Sequence, residues 1–321
     1  MTDFPTETMS AGAPHRIVSL LPAATEMVVA LGAVDQLVGR SHACDHPWAV
    51  RPLPAVTRPK VPVDAPSLDL HESVVKLSRE SQSLFELDVP RLRELAPTVI
   101  LAQDQCAVCA VTPKDLEAAL ADWPGRKPEI VRLSPTRLVD LWADLQRIAG
   151  VLGLADAGRA AIAPLKARVV AVIERTALLQ KRPSVACLEW LDPLMGAGNW
   201  IPELVHIAGG HPLFGEPGVH SDWITWENLL LQDPQVLVSI PCGFDLDRVR
   251  QETRRLASRP DWTKLRAART GKVFLADASA YFNRPGPRLV DSLELLAEML
   301  HPDLFAPARY KGEAWEPFVA S

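Results

Sequence analysis

Arg16-Ile17-Val18-Ser19-Leu20-Leu21-Pro22-Ala23-Ala24-Thr25-Glu26 decides the fold. An apolar run of strand length gives way, with one proline between, to a segment that reads as a short helix over Thr25–Leu31, with Gly32 as its C-terminal stop. A strand that turns straight into a helix opens an α/β unit, and the pattern recurs downstream. Leu37-Val38-Gly39 reads as a second strand, a helix ends over Leu92–Leu95 before a strand at Val99-Ile100-Leu101-Ala102, and Ile130–Leu133 closes the unit. Strand-like runs resume at Val185, Val236 and Val273, with helices between them and a last helix from Arg288 to Leu300. Such alternation predicts parallel sheets with right-handed crossovers.

One long stretch breaks the alternation. Residues 137–180 hold no strand pattern. Leu138, Leu141, Leu145, Ile148 and Leu152 recur at helical spacing, as do Ile162, Leu165, Val169, Val170 and Ile173. The second of these helices, over about 156–181, is long enough to cross from one lobe to another. A chain of 321 residues also exceeds what one hydrophobic core usually organises. The expected fold class is therefore α/β: two Rossmann-like lobes with parallel sheets, joined by a long backbone helix. The expected divisions are a first lobe at 14–136, a helical linker at 137–181, a second lobe at 182–309 and a tail at 310–321. Pro47 to Pro66 is proline-rich and reads as an extended wall.

Composition excludes some functions. The chain is 48% hydrophobic and 23% charged, as in ordinary globular proteins. A net charge of −5 argues against broad binding to nucleic acid or anionic membranes. No apolar run approaches the roughly 20 residues that span a bilayer, so no membrane-spanning segment is expected. Met1 to Pro14 carries acids and prolines and no apolar core of signal-peptide length. As written, the chain reads as cytoplasmic, or as periplasmic were its start trimmed.

In open parallel sheets ligands bind beyond the carboxyl ends of the strands. All five cysteines (Cys44, Cys106, Cys109, Cys187 and Cys242) follow strand-like runs. An odd count in a reducing compartment argues against a disulfide framework. Cys106-Ala107-Val108-Cys109 suits a soft metal, an iron–sulfur cluster or a redox pair; the alternative is two small buried residues packing a loop. His42-Ala43-Cys44-Asp45-His46 gathers imidazoles, a thiol and a carboxylate in one loop, so His42, Cys44, His46, Cys106 and Cys109 are the candidate metal ligands. Trp190, Trp200, Trp223, Trp226, Tyr281 and Phe282 fall near the expected loops, where large flat side chains suit a large planar ligand, although most tryptophans are core. Glu189, Asp192, Asp104 and Asp277 share those loops. No dinucleotide fingerprint, P-loop or nucleophile elbow is present.

Set end to end, these segments resemble a family. Arg16–Glu26 is similar to the opening strand and helix of the helical-backbone (class III) substrate-binding proteins of ABC importers, which bind cobalamin, haem or ferric siderophores. Asp45-His46-Pro47 resembles that family's Asp-Tyr-Pro loop, and Leu95-Ala96-Pro97-Thr98-Val99-Ile100 its Leu-x-Pro-Asp-Leu-Ile strand. Glu203–Gly210, Asp233–Leu237 and Pro260-Asp261-Trp262 fit as well, and Tyr281–Arg288 looks like the aromatic loop of the cobalamin receptors. The resemblance implies a corrinoid or related metal chelate held in the cleft between the lobes, without catalysis. By position it implies a lining of Pro22, Ala23, His42, Cys44, Gln103, Asp104, Cys106, Trp190, Asp192, Trp200, Cys242, Phe244, Tyr281, Phe282 and Arg284. An ABC permease partner would dock on one glutamate per lobe. Glu227 fits the second-lobe position, whereas the first-lobe position falls at Pro90, beside Asp88 and Glu86. Residues 57–88 are longer than the family pattern. Three readings follow: a cytoplasmic binding protein for cobalamin or a related corrinoid, a thiol-based metal or iron–sulfur protein on the same fold, with enzymatic chemistry left open, and an importer receptor lacking its export signal.

Overall fold

The structure, a computed structural model, describes residues 14–79, 83–104 and 111–319. The opening stretch forms β1 (Ile17–Ser19), buried throughout, and α1 (Pro22–Ala30). The helix begins three residues earlier than expected because proline is well suited to a first helical turn, where no amide donor is needed. β2 (Leu37–Arg40) follows, then β3 (Thr57–Pro59), α2 (Ser67–Arg79), β4 (Phe85–Leu87) and α3 (Val89–Glu94). β5 (Val99–Gln103), α4 (Pro113–Ala119) and β6 (Glu129–Leu133) complete the lobe. Its main sheet has the order β2-β1-β5-β6, all parallel. β3 and β4 stand apart as an antiparallel pair that roots the long insertion.

The strandless stretch becomes α5 (Leu138–Val151) and α6 (Ala155–Thr176). At 22 residues α6 spans about 33 Å, enough to tie two lobes together. Its middle is clamped to the second lobe. Arg168 donates from Nε to Glu294 at 2.8 Å, and from Nη2 to Glu294, Asp291 and the Tyr310 hydroxyl.

The second lobe runs β7 (Ser184–Leu191), β8 (Leu194–Gly196), α7 (Ile201–Ile207), β9 (His211–Pro212), β10 (Asp222–Trp223), α8 (Trp226–Gln232) and β11 (Val236–Ser239). Then come α9 (Leu246–Ala257), α10 (Arg266–Arg269), β12 (Val273–Ala276), α11 (Leu289–Leu300) and β13 (Trp315–Pro317). β7, β11 and β12 are parallel, as expected. The sheet as a whole is mixed. Asp192-Pro193 reverses the chain so that β8 returns antiparallel to β7, and β10 adds beyond it. Residues 310–321, read as a tail, supply β13 as an antiparallel edge on β12. Glu298 anchors this segment by accepting from the amides of Arg309 and Tyr310 and from Trp315 Nε1.

One apolar cluster runs from Ile17 and Met27 in the first lobe through Leu145 and Ile162 of the helical pair to Trp200, Phe282 and Leu293 in the second. The lobes therefore share a continuous base. The outer faces have separate cores, one of which draws Leu70 of α2 in among second-lobe residues.

Candidate functional site

The loops at the carboxyl ends of the strands meet at a charged joint. Arg284, only 7% exposed, donates from Nη1 and Nη2 to the Asp45 carboxylate at 2.5 and 3.2 Å. Arg288, four residues on, grips Glu26 of α1 with two hydrogen bonds of 3.0 and 2.6 Å. Glu26 is buried and also lies 3.7 Å from Arg284, so two cations and two carboxylates alternate across the joint. Burial alone would raise the Asp45 carboxyl, but the hydrogen bond and charge of Arg284 outweigh it and hold the group below its usual range. For Arg288 the Glu26 contact likewise outweighs burial, which alone would lower it. Backbones come close here: a Cβ on Gly286 would sit 3.1 Å from Ala23 Cα, so Pro22 and Ala23, the first turn of α1, lie against the second lobe.

The segment that supplies both arginines is built around a single π turn, Ala278–Phe282. Asp277 caps it by accepting from the Ala280 amide at 2.7 Å, and burial raises this carboxyl. π turns are rare, and they concentrate at functional sites. Here the turn leaves Tyr281 half-buried, 5.5 Å beneath the Arg288 guanidinium and edge-on to Tyr310.

Most of the other aromatics face inward. Trp200 is buried and donates from Nε1 to the Phe282 carbonyl at 2.9 Å, and Phe282 is itself 1% exposed. Trp190 is buried against Phe244, with ring centroids 5.3 Å apart. These four expected lining residues support the loops from within. Trp226 is buried under Arg259, while Trp223 is exposed and meets His71 edge-on at 5.1 Å. Asp192 is exposed, and its carbonyl accepts from Trp190 Nε1. Gln103 is half-buried. Asp104 pairs with Arg132 at 2.9 Å. Glu227 stands exposed in the first turn of α8. In the first lobe Asp88 caps α3, and Glu86 pairs with Arg58 across β3 and β4.

The described thiols occupy different surroundings. Cys187 does not end its strand, because β7 continues to Leu191; the residue is mid-strand in the core, and burial pushes its thiol up to about 12. Cys44 is fully buried, its sulfur 3.0 Å from Thr25 Oγ1, and burial raises it too. Cys242 is half-buried, with its amide donating to the Glu189 carbonyl. Cys106 and Cys109 lie outside the described residues. Among the described residues no three of His, Cys, Asp and Glu are grouped to hold a metal ion. His46 is exposed on the joint's rim, and burial followed by the Arg288 charge lowers its pKa. His42 is the more constrained imidazole. Its Nδ1 is 2.7 Å from Thr57 Oγ1, its ring lies 5.1 Å from Phe85, and burial together with Arg40 lowers its pKa, keeping it neutral near pH 7.

Three features escape a reading of residue types near strand ends. Glu26 and Arg288 form the joint's second pair, and the clue was a glutamate on an otherwise apolar helix, which needs a partner to be buried. Ser221 links Glu189 to the backbone: its hydroxyl lies 2.7 Å from Glu189 Oε2 and accepts from the Gly198 amide at 2.9 Å. Finally, the 57–88 insertion reaches the second lobe, which no local pattern announces.

Comparison with known proteins matches this arrangement. A family model described as periplasmic binding protein covers residues 17–280. An uncharacterized ABC transporter substrate-binding lipoprotein of Bacillus subtilis is 23% identical over 91% of this chain and 82% of its own length. The vitamin B12-binding protein of Photorhabdus laumondii is 22% identical over 90% of this chain and 89% of its own. Among solved structures, a periplasmic heme binding protein from Pseudomonas aeruginosa superposes with a TM-score of 0.70 at 22% identity, covering 91% of this chain and 94% of the other.

Proposed function

The chain belongs to the periplasmic binding protein family of ABC-transporter substrate-binding proteins, and from that premise we propose that it binds cobalamin or a related corrinoid between its lobes without transforming it. The observation that carries the proposal is the joint itself. Segments at the carboxyl ends of both sheets converge on Asp45, Arg284, Glu26 and Arg288, and His42, Gln103, Cys242 and Tyr281 stay half-buried at strand ends and in the segments that follow them. Such placement at strand ends is where an open α/β sheet takes its ligand. The vitamin B12-binding relative favours a corrinoid, whereas the heme-binding structural neighbour shares the fold.

In this reading the buried aromatics hold the loops rigid, and the base shared by the lobes limits closure around the ligand. His42 is the proposed axial ligand. In the tautomer that donates its Nδ1 proton to Thr57, the other ring nitrogen offers a lone pair, and an oxygen partner on the far nitrogen is the usual support for a metal-bound imidazole. Cys44, buried and hydrogen-bonded to Thr25, offers no such lone pair to a ligand outside the core. Glu227 is the proposed contact for an ABC permease. A cytoplasmic setting belongs to the same proposal, supported by the odd number of cysteines in the sequence. Fractionating cells that express the native gene tests this.

The functional test is a titration of the apo protein with aquocobalamin and, separately, haemin, followed by absorbance. Saturable corrinoid binding at micromolar concentration or below is expected, with a shifted cobalt spectrum that His42→Ala abolishes. Preference for haemin, or no binding of either, would overturn the corrinoid reading.

A further inference from the structure

The long insertion is more than a decoration of the first lobe. Residues 60–79 leave the β3–β4 root, cross to the second lobe and return. There Arg248 of α9 stacks over Phe244 with its guanidinium carbon 3.7 Å from the ring centroid, and donates to the carbonyls of Val63 and Ala65. Ser67, the first residue of α2, donates from its hydroxyl to Glu252 Oε2 at 2.7 Å, and both residues are buried. One turn along, Leu70 is 8% exposed in the second-lobe core, with Val61 and Val74 against the same cluster. His71 then meets Trp223.

Grooves open to solvent flank the crossing, one beside the latch between Asp64, Pro66, Arg248 and Glu252 and one along the α2 face carrying His71, Val75, Lys76 and Arg79. Within α2 only Ser67 and Leu70 are buried among the residues whose side chains are described; Leu68, Asp69, Glu72, Lys76 and Arg79 are exposed. A helix with so few buried positions is held by its contacts rather than by a core of its own, because isolated helices of about this length are marginal in water. Low buried apolar area marks the segments that open first.

We propose that residues 60–79 form a strap, latched onto α9 by Arg248, Ser67–Glu252 and Leu70, that spans the lobes and gates ligand exchange. The gating part rests on the binding function proposed above; the latch does not. Arg248 stacks on Phe244 in the loop after β11, so the strap closes over one flank of the strand-end loops, opposite in character to the charged joint. Opening costs the latch contacts only and leaves both sheets intact.

The test uses the full-length Ser67→Ala/Arg248→Met variant, in which methionine keeps the stem over Phe244 and removes the donors. Hydrogen exchange is measured first, without ligand. We expect amides over residues 67–77 to exchange at least tenfold faster, with α5, α6 and α11 unchanged and the melting temperature within a few degrees of wild type. Release of bound ligand, either aquocobalamin or haemin according to which binds, is then followed by stopped flow and should also accelerate about tenfold. Unchanged exchange over 67–77 overturns the latch whatever binds. Faster exchange with unchanged release overturns the gate. If wild-type protein takes up neither probe, the functional reading fails, while the exchange result still decides the latch. Should the double variant unfold, Ser67→Ala alone is read in the same way.

Discussion

Two of the seams between the lobes are unlike. The joint of Asp45, Arg284, Glu26 and Arg288 is charged, centred on the buried Glu26 and Arg284, and made near the ends of core strands. The strap is long, more exposed, and held by two carbonyls, one serine–glutamate pair, Leu70 with Val61 and Val74 beside it, and His71 against Trp223. Their energetics differ accordingly. A buried ion network adds little relative to an apolar replacement, but it is costly to break, because removing one member strands its partner. A strap held by a few contacts can detach without stranding any charge except Glu252, which keeps Arg255. Fixed geometry and mobile cover are thus supplied by separate parts of the chain.

The sharpest way to break this comparison is to remove the joint's central cation. Arg284→Ala removes a buried cation, leaving the half-exposed Asp45 without it and Glu26 with Arg288 alone, and should cost about 2–3 kcal/mol of stability in chemical denaturation. A loss below about 1 kcal/mol would put the joint on a par with exposed ion pairs and erase the distinction.

A smaller effect, of opposite sign, comes from a region where burial outweighs the one cation beside it. Asp144 of α5 is buried, and its Oδ2 has no hydrogen-bond partner; Oδ1 lies 3.4 Å from Arg147. Burial raises this carboxyl to about 6. Because the folded value lies above the ordinary 3.8, protonation adds stability that is fully present below about pH 4 and is lost as pH rises through 6. Asp144→Asn should therefore stabilise the protein by about 1–2 kcal/mol at pH 7.5, with the gain shrinking toward zero at pH 4. Equal gains at both pH values would show that desolvation is not the cause. The contrast with Asp45 is direct, since there a buried arginine reverses the effect of burial.

How much of this was legible in sequence follows from the range over which each interaction acts. The strand–helix alternation, the strandless 137–180 stretch and the crossing helix rest on local periodicity, and they appear within a few residues of their expected bounds. The antiparallel β8, β10 and β13 were missed because they are short and set by a turn at Asp192-Pro193 or by side chains such as Glu298 far along the chain. At the site, loop membership was readable but side-chain direction was not. Trp200 and Phe282 sit where a ligand-facing aromatic would sit, yet a hydrogen bond between them 82 residues apart fixes both inward. Cys187 was misplaced by one wrong strand end. The Arg284–Asp45 pair spans 239 positions, and no spacing rule reaches that far.

An effect of similar size in the strap is the one that most refines the comparison. Leu70→Ala truncates a leucine that is 8% exposed in the second-lobe core, and in an ordinary core such a change costs about 2–5 kcal/mol. In a strap the cost has a ceiling. Once docking becomes unfavourable the segment lifts, water reaches the site, and no further stability can be lost, so the penalty cannot exceed the free energy of docking. With only Ser67 and Leu70 buried in α2 among its described side chains, that ceiling is low, and a loss of about 1–2 kcal/mol is expected, below the ordinary core range. Adding Ser67→Ala to Leu70→Ala should then cost almost nothing more in denaturation, because the strap is already free. The first change saturates the second. Additive losses that continue past about 3 kcal/mol would mean that α2 is fixed into the second lobe as firmly as Arg284 is fixed into the joint, and that both seams are parts of one rigid body.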